Sequence, residues 1–133
     1  MLVNVVNKYT HTPTEHDVYI GRGSVFGNPY PHLPSNRKDA IKVKTRAEAC
    51  AKYQEHFMTQ TAVTARKELL QLINKVINNE PVNLVCFCSP KQCHGDYLKQ
   101  VIDEAAIAFT SSPARLAEFR KAYEIYCMSD SSN

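Results

Sequence analysis

The chain predicts a single α/β domain, a small, mostly parallel sheet covered by about four helices. Short β-rich runs, Leu2-Val3-Asn4-Val5-Val6, Asp17-Val18-Tyr19-Ile20 and Val82 to Cys88, alternate with longer stretches whose apolar residues recur at helical spacing. The Val82 run is apolar enough for a buried strand. It ends in a Ser89-Pro90 turn that opens onto a new amphipathic stretch, the strand, loop, helix order of open α/β sheets. At 133 residues the chain suits one compact domain. Such a domain buries roughly two thirds of the surface its unfolded chain exposes, with no need of a disulfide or structural metal.

Taken in order, the first two strands flank a polar loop from Asn7 to His16. Gly21 to Pro34 holds three of the four glycines and must be irregular backbone. So long a connection is more often functional than idle, because an ordinary one runs about 4–6 residues. A basic patch follows from Arg37-Lys38 to Lys44, in which Ile41-Lys42-Val43 alternates like an exposed edge strand. Thr45 caps a helix with Glu48 at the capping-box position, placing Ala47, Cys50, Ala51, Phe57 and Met58 near one face. A second helix fits Ala62 to Asn78, with Val63, Leu69, Leu70, Leu72, Ile73, Val76 and Ile77 as its apolar stripe and Asn78-Asn79 as its stop.

After the Val82 strand, a third helix runs from about His94 to Phe109 with Leu98, Val101, Ile102, Ala105 and Phe109 inward. Ser112-Pro113 is a cap and first turn for a fourth, about 113–127, carrying Leu116, Phe119, Tyr123 and Tyr126. The domain is expected over 1–128, with 129–133 a frayed tail.

Sixteen basic against thirteen acidic residues give a net charge of +3, which permits a phosphate-bearing partner without requiring one. Five cysteines are an odd number, Met1-Leu2-Val3-Asn4 is no charged-then-apolar leader, and no apolar stretch approaches a membrane span. The expectation is a cytoplasmic protein with free thiols and no membrane partner.

Chemistry is expected where Cys86, Cys88 and Cys93 stand beside His94 and Asp96. Three thiolates and an imidazole suggest zinc. The spacing argues otherwise, since Cys93 and His94 are helix neighbours that point about 100° apart. No metal and no cofactor is expected. A second reading makes Cys93 a reactive thiol, its pKa lowered at a helix N-terminus, or the partner of Cys88 in a disulfide. A third uses the amides of Gln92 to Gly95 as an anion site, with His94 and Asp96 as a titratable pair. Cys50 and Cys127 read as packing residues, and His11, His16, His32 and His56 as solvated.

The loop Gly21-Arg22-Gly23-Ser24-Val25-Phe26-Gly27-Asn28-Pro29 offers glycines that let a ligand approach the main chain and one guanidinium suited to a phosphate or carboxylate. Taken with the Tyr53 helix and the Cys86-x-Cys88-x-Pro90-x-x-Cys93-His94 run, this order resembles the DUF4326 family of small phage and bacterial proteins, over about Val18 to Ile102. The resemblance implies a compact α/β domain whose Gly-Asn-Pro and Cys-His loops meet, and implies no settled activity. The chain departs from the pattern by Phe87 in place of a usual tryptophan, by the Pro31 to Lys44 segment and by the helix after Ser112.

From the residues and the resemblance together, the expected function is a hydrolase of nucleotides or nucleic acid, cleaving an N-glycosidic or phosphodiester bond in phage-type DNA or nucleotide metabolism. Its catalytic residues would be His94, Asp96 and Cys93, and its ligand-binding residues Gly21, Arg22, Gly23, Ser24, Gly27, Asn28, Cys88 and Gln92. The alternatives are a non-catalytic module that binds a nucleotide signal or a host protein, and a zinc-stabilised DNA-interaction protein.

Overall fold

The computed structural model describes residues 2–21, 23–27, 45–87 and 93–128, with Arg46 and Met128 described by their backbone alone. The expected edge strand at Ile41 to Val43, the basic patch around it and the 129–133 tail lie outside these residues.

Three parallel strands, β1 (Val3–Asn7), β2 (Asp17–Tyr19) and β3 (Val82–Cys86), form a sheet in the order β1-β3-β2. Val5 and Val18 flank Leu84, while Val6 and Tyr19 flank Val85. Because strand side chains alternate, this register sorts the sheet into two faces. Val3, Val5, Val18, Val82, Leu84 and Cys86 join the core beneath the helices. Asn4, Val6, Asp17, Tyr19, Asn83 and Val85 point the other way. There the side chains of Asn4, Asn83, Asp17 and Thr14 hydrogen-bond one another, and His11 pairs with Asp17 at 2.9 Å. His11, read as solvated, is thus partly buried and paired with a carboxylate. The protein is a single α/β domain, and the described helices pack on one face of the sheet.

Helix α1 (Arg46–His56) starts as expected, the Thr45 hydroxyl accepting from the Glu48 amide at 3.1 Å. It runs on through a π-helical turn, Phe57–Thr61, and a single turn, α2 (Ala62–Thr64). Ala65 then leaves helical geometry (φ −105, ψ 24) before α3 (Arg66–Ile77), so the expected helix from Ala62 to Asn78 is broken. At the break Ala65 itself keeps both backbone groups paired, donating to Thr61 and accepting from Leu69.

The inward face of α1 also differs from expectation. Ala49, Cys50, Tyr53 and Phe57 are buried, whereas Ala47, Ala51, Met58 and, in α2, Val63 are exposed. Two aromatics four residues apart bury far more area than alanines do, and they set the rotation of the helix. Asn79 ends α3 in the left-handed conformation (φ 61), its amide on the Val76 carbonyl and that of Glu80 on Lys75.

Helix α4 (His94–Phe109) has the expected bounds and buries Leu98 and Ile102. Helix α5 (Pro113–Tyr123) is capped by Ser112, continues into a π-helical turn at Glu124–Met128 and seats Phe119 against Phe109, ring centroids 5.0 Å apart. Among the described residues no helix is long and apolar enough to cross a membrane.

Candidate functional site

The loops after β2 and β3 leave the C-terminal edge of the sheet, and α4 returns to that edge at its first turn. Gly95 is what lets it return so closely. A side chain there would meet Ile20 Cδ1 at 2.8 Å and Val5 Cγ1 at 3.0 Å, closer than packed carbons approach, so the start of the helix lies directly on β1 and the end of β2.

That approach brings His94 to the Ile20 carbonyl, with Nε2 and the oxygen 2.6 Å apart and the side chain buried. A carbonyl oxygen only accepts, so the ring proton sits on Nε2. Burial lowers the pKa of His94, outweighing the Ile20 carbonyl and the Asp96 charge, which both favour the protonated form. The imidazole is therefore neutral at pH 7, and Nδ1 carries the lone pair. Among the described residues Nδ1 has no hydrogen-bond partner.

Tyr53 completes the link between the loops. Its ring meets His94 edge-on, centroids 4.8 Å apart, and its hydroxyl donates to the Phe26 carbonyl at 2.7 Å. Burial, and then the neighbouring Tyr97, push its pKa well above the usual range, so it stays a donor. The start of α4, the end of β2 and the glycine-rich loop are thus tied through one histidine and one tyrosine. Sequence reasoning placed Tyr53 in the motif but gave it no role. The available signal was a polar-tipped aromatic within the apolar face of α1, where a buried hydroxyl needs a partner.

Cys93 is the N-cap of α4, its sulfur accepting from the Gly95 amide at 3.3 Å while its own amide donates to Asp96 Oδ2 at 3.1 Å. Asp96 thus serves the cap, and the pairing of Asp96 with His94 for proton transfer is not what this geometry gives. The Cys93 thiol lies 3.4 Å from that of Cys86, both buried. Hydrogen bonding to Cys86 and burial push its pKa well above the usual thiol range, and the Gly95 amide only partly offsets them. Cys93 is thus a protonated cap and not the low-pKa thiol expected at a helix N-terminus. Cys88 and Gln92 lie outside the described residues, and among those described no group of three or more His, Cys, Asp or Glu side chains is placed to hold a metal ion.

Of the first loop's expected ligand residues, Arg22 and Asn28 lie outside the described residues. Gly23 has φ +90, a conformation that favours glycine, with open space around it. Ser24 is occupied locally, its hydroxyl on the Gly21 carbonyl at 2.7 Å, and the Gly27 amide donates to Ser24. The missing side chain of Gly21 makes room for the Tyr19 ring. A cavity of about 530 Å³ opens beside β2, between Tyr19, Val25 and Phe26 on one side and Gln71, Leu72 and Lys75 of α3 on the other. His94 is not among its lining residues.

A family model for the domain of unknown function DUF4326 matches residues 3–104, more than half of the chain. The protein belongs to the DUF4326 family. The match takes in β1 as well as the segment from about Val18 to Ile102 that carried the resemblance in sequence, and it stops before α5. Every residue of the His94, Tyr53 and Ile20 cluster lies inside the DUF4326 region. No curated protein and no solved structure matches the chain.

Proposed function

We propose that this DUF4326 protein binds a phosphate-bearing nucleotide unit at the C-terminal ends of β2 and β3 and hydrolyses an N-glycosidic or phosphodiester bond there, with His94 as general base. The observation that carries the reading is the 2.6 Å contact of His94 with the Ile20 carbonyl. It fixes the tautomer, leaving the Nδ1 lone pair without a partner among the described residues, and burial keeps that base neutral at the pH where it must work. In the step proposed, water forms a bond to the sugar C1′ or to phosphorus while giving a proton to Nδ1. That proton then passes to the departing base or oxygen. Arg22 would hold the phosphate and Asn28 the sugar or base. Asp96 is given no proton-transfer role, because it serves the helix cap.

A second reading, a nucleotide-binding module without chemistry, is favoured by one observation: His94 is only 8 % exposed and one of its nitrogens already serves the fold. Turnover separates the two. Nucleosides, nucleotides and single- and double-stranded DNA and RNA are incubated with the protein, and released base or cut strands are measured. The hydrolase reading expects turnover that falls roughly a hundredfold or more in His94→Ala, the usual contribution of an acid–base group. Nucleotide binding with no turnover of any substrate would replace it with the binding module.

A further inference from the structure

We propose that the face of the sheet on which no described helix packs, at its C-terminal rim, is a stacking platform for the unpaired bases of single-stranded nucleic acid. The proposal goes beyond the hydrolytic reading and needs neither His94 nor a chemical step. Parallel sheets are ordinarily covered on both faces, yet here Tyr9, Phe87 and Tyr19 remain 82 %, 41 % and 39 % exposed. Their rings form one cluster. Tyr9 and Phe87 have centroids 5.3 Å apart and tilted by 49°, and Tyr19 meets Phe87 edge-on at 5.9 Å.

The cluster is held in place by the backbone. Asn7 accepts from the Tyr9 amide at 2.8 Å and donates to the Phe87 carbonyl at 3.3 Å, while the Lys8 amide extends the sheet onto Cys86. The bare Gly21 leaves the Tyr19 ring its place. Little ordering is left for a ligand to impose.

Composition selects the occupant. The Lys8 ammonium stands 5.4 Å from the Tyr19 ring centroid and 5.5 Å from that of Phe87, and among the described residues it meets no carboxylate. The aliphatic neighbours on this face, Val6 and Val85, are partly or wholly buried. A protein partner's aliphatic side chains would find little to pack on. Exposed aromatic faces interleaved with a cation match the alternation of base and phosphate along a single strand, whereas a duplex hides its base faces.

The test is fluorescence anisotropy with labelled single strands of about 15 nucleotides, DNA and RNA, against a duplex of the same sequence, at low salt. Single strands should bind at least about tenfold more tightly than duplex. Tyr9→Ala, at a position too exposed to threaten the fold, should weaken single-strand binding about 5- to 150-fold, the range seen for loss of one stacked base, and Tyr9→Phe should restore it. Phe87→Ala should act in the same direction, and Ile107→Ala, on the exposed surface of α4, should leave binding intact. Three results would overturn the platform: no single-strand binding up to about 100 µM, equal affinity for duplex, or binding that survives both Tyr9→Ala and Phe87→Ala.

Discussion

The two faces of this three-stranded sheet use the same strands to opposite ends. On the covered face, Val3, Val82 and Leu84 vanish beneath the helices, and His94 at the rim bonds a carbonyl and is held neutral by burial. On the open face the corresponding polar partners are Asn83, Asp17 and His11, and here the histidine faces a carboxylate. Burial raises the Asp17 pKa, but hydrogen bonds from His11, Thr14 and Asn83 more than reverse this, leaving it well below the usual carboxylate range. The difference teaches that one residue type plays two parts, set by what lies above the strand. A neutral histidine can bridge two backbone segments in the core, whereas a partly exposed one pairs with a carboxylate.

Large-to-small substitution should separate the faces most sharply. Leu84→Ala, removing a fully buried side chain, is expected to cost about 2–5 kcal/mol in urea unfolding. Tyr9→Ala on the open face should fall within about 0.5 kcal/mol. Equal costs would mean that the open face is covered in solution.

The rim comes next. Gly95→Ala improves helix propensity, yet its new carbon would meet Ile20 and Val5, so a loss of about 1–3 kcal/mol is expected from the same unfolding measurement. A stabilised Gly95→Ala would show that α4 does not lie so closely on the strands. A smaller effect belongs to the cap. Cys93→Ala should cost about 1 kcal/mol, and Cys93→Ser, which keeps an acceptor for the Gly95 amide, should recover most of it in thermal melts.

Much of the fold was legible in the residues. The three β-rich runs, the Thr45 and Ser112 caps, the Asn78-Asn79 stop and both bounds of α4 follow from local rules that the structure keeps. The break at Ala65 was not legible, because Ala62 to Asn78 contains no Gly or Pro to mark it. Nor was the open face: alternation in β3 is masked by Val85, an apolar residue on the polar side.

At the site, the sequence placed Cys93, His94 and Asp96 together but could not divide their tasks. Asp96 and Cys93 answer to the helix end, a local rule, while His94 answers to Ile20, seventy-four residues away in the chain. A hydrogen bond of that span, and the Tyr53 hydroxyl on Phe26, exist only once the sheet has formed.

The central claim, a neutral histidine locked by the Ile20 carbonyl, is tested most directly by nitrogen-15 NMR of the imidazole through a pH titration. His94 should carry its proton on Nε2 and stay neutral below the ordinary histidine midpoint of about 6.5. A folded pKa below the unfolded one means that the unfolded chain takes up the proton first. Stability should therefore be fully present above about pH 6.5 and fall as the pH drops towards the folded value, and that slope should be absent in His94→Gln. Protonation at or above the ordinary midpoint, or a proton on Nδ1 in the neutral form, would contradict the account.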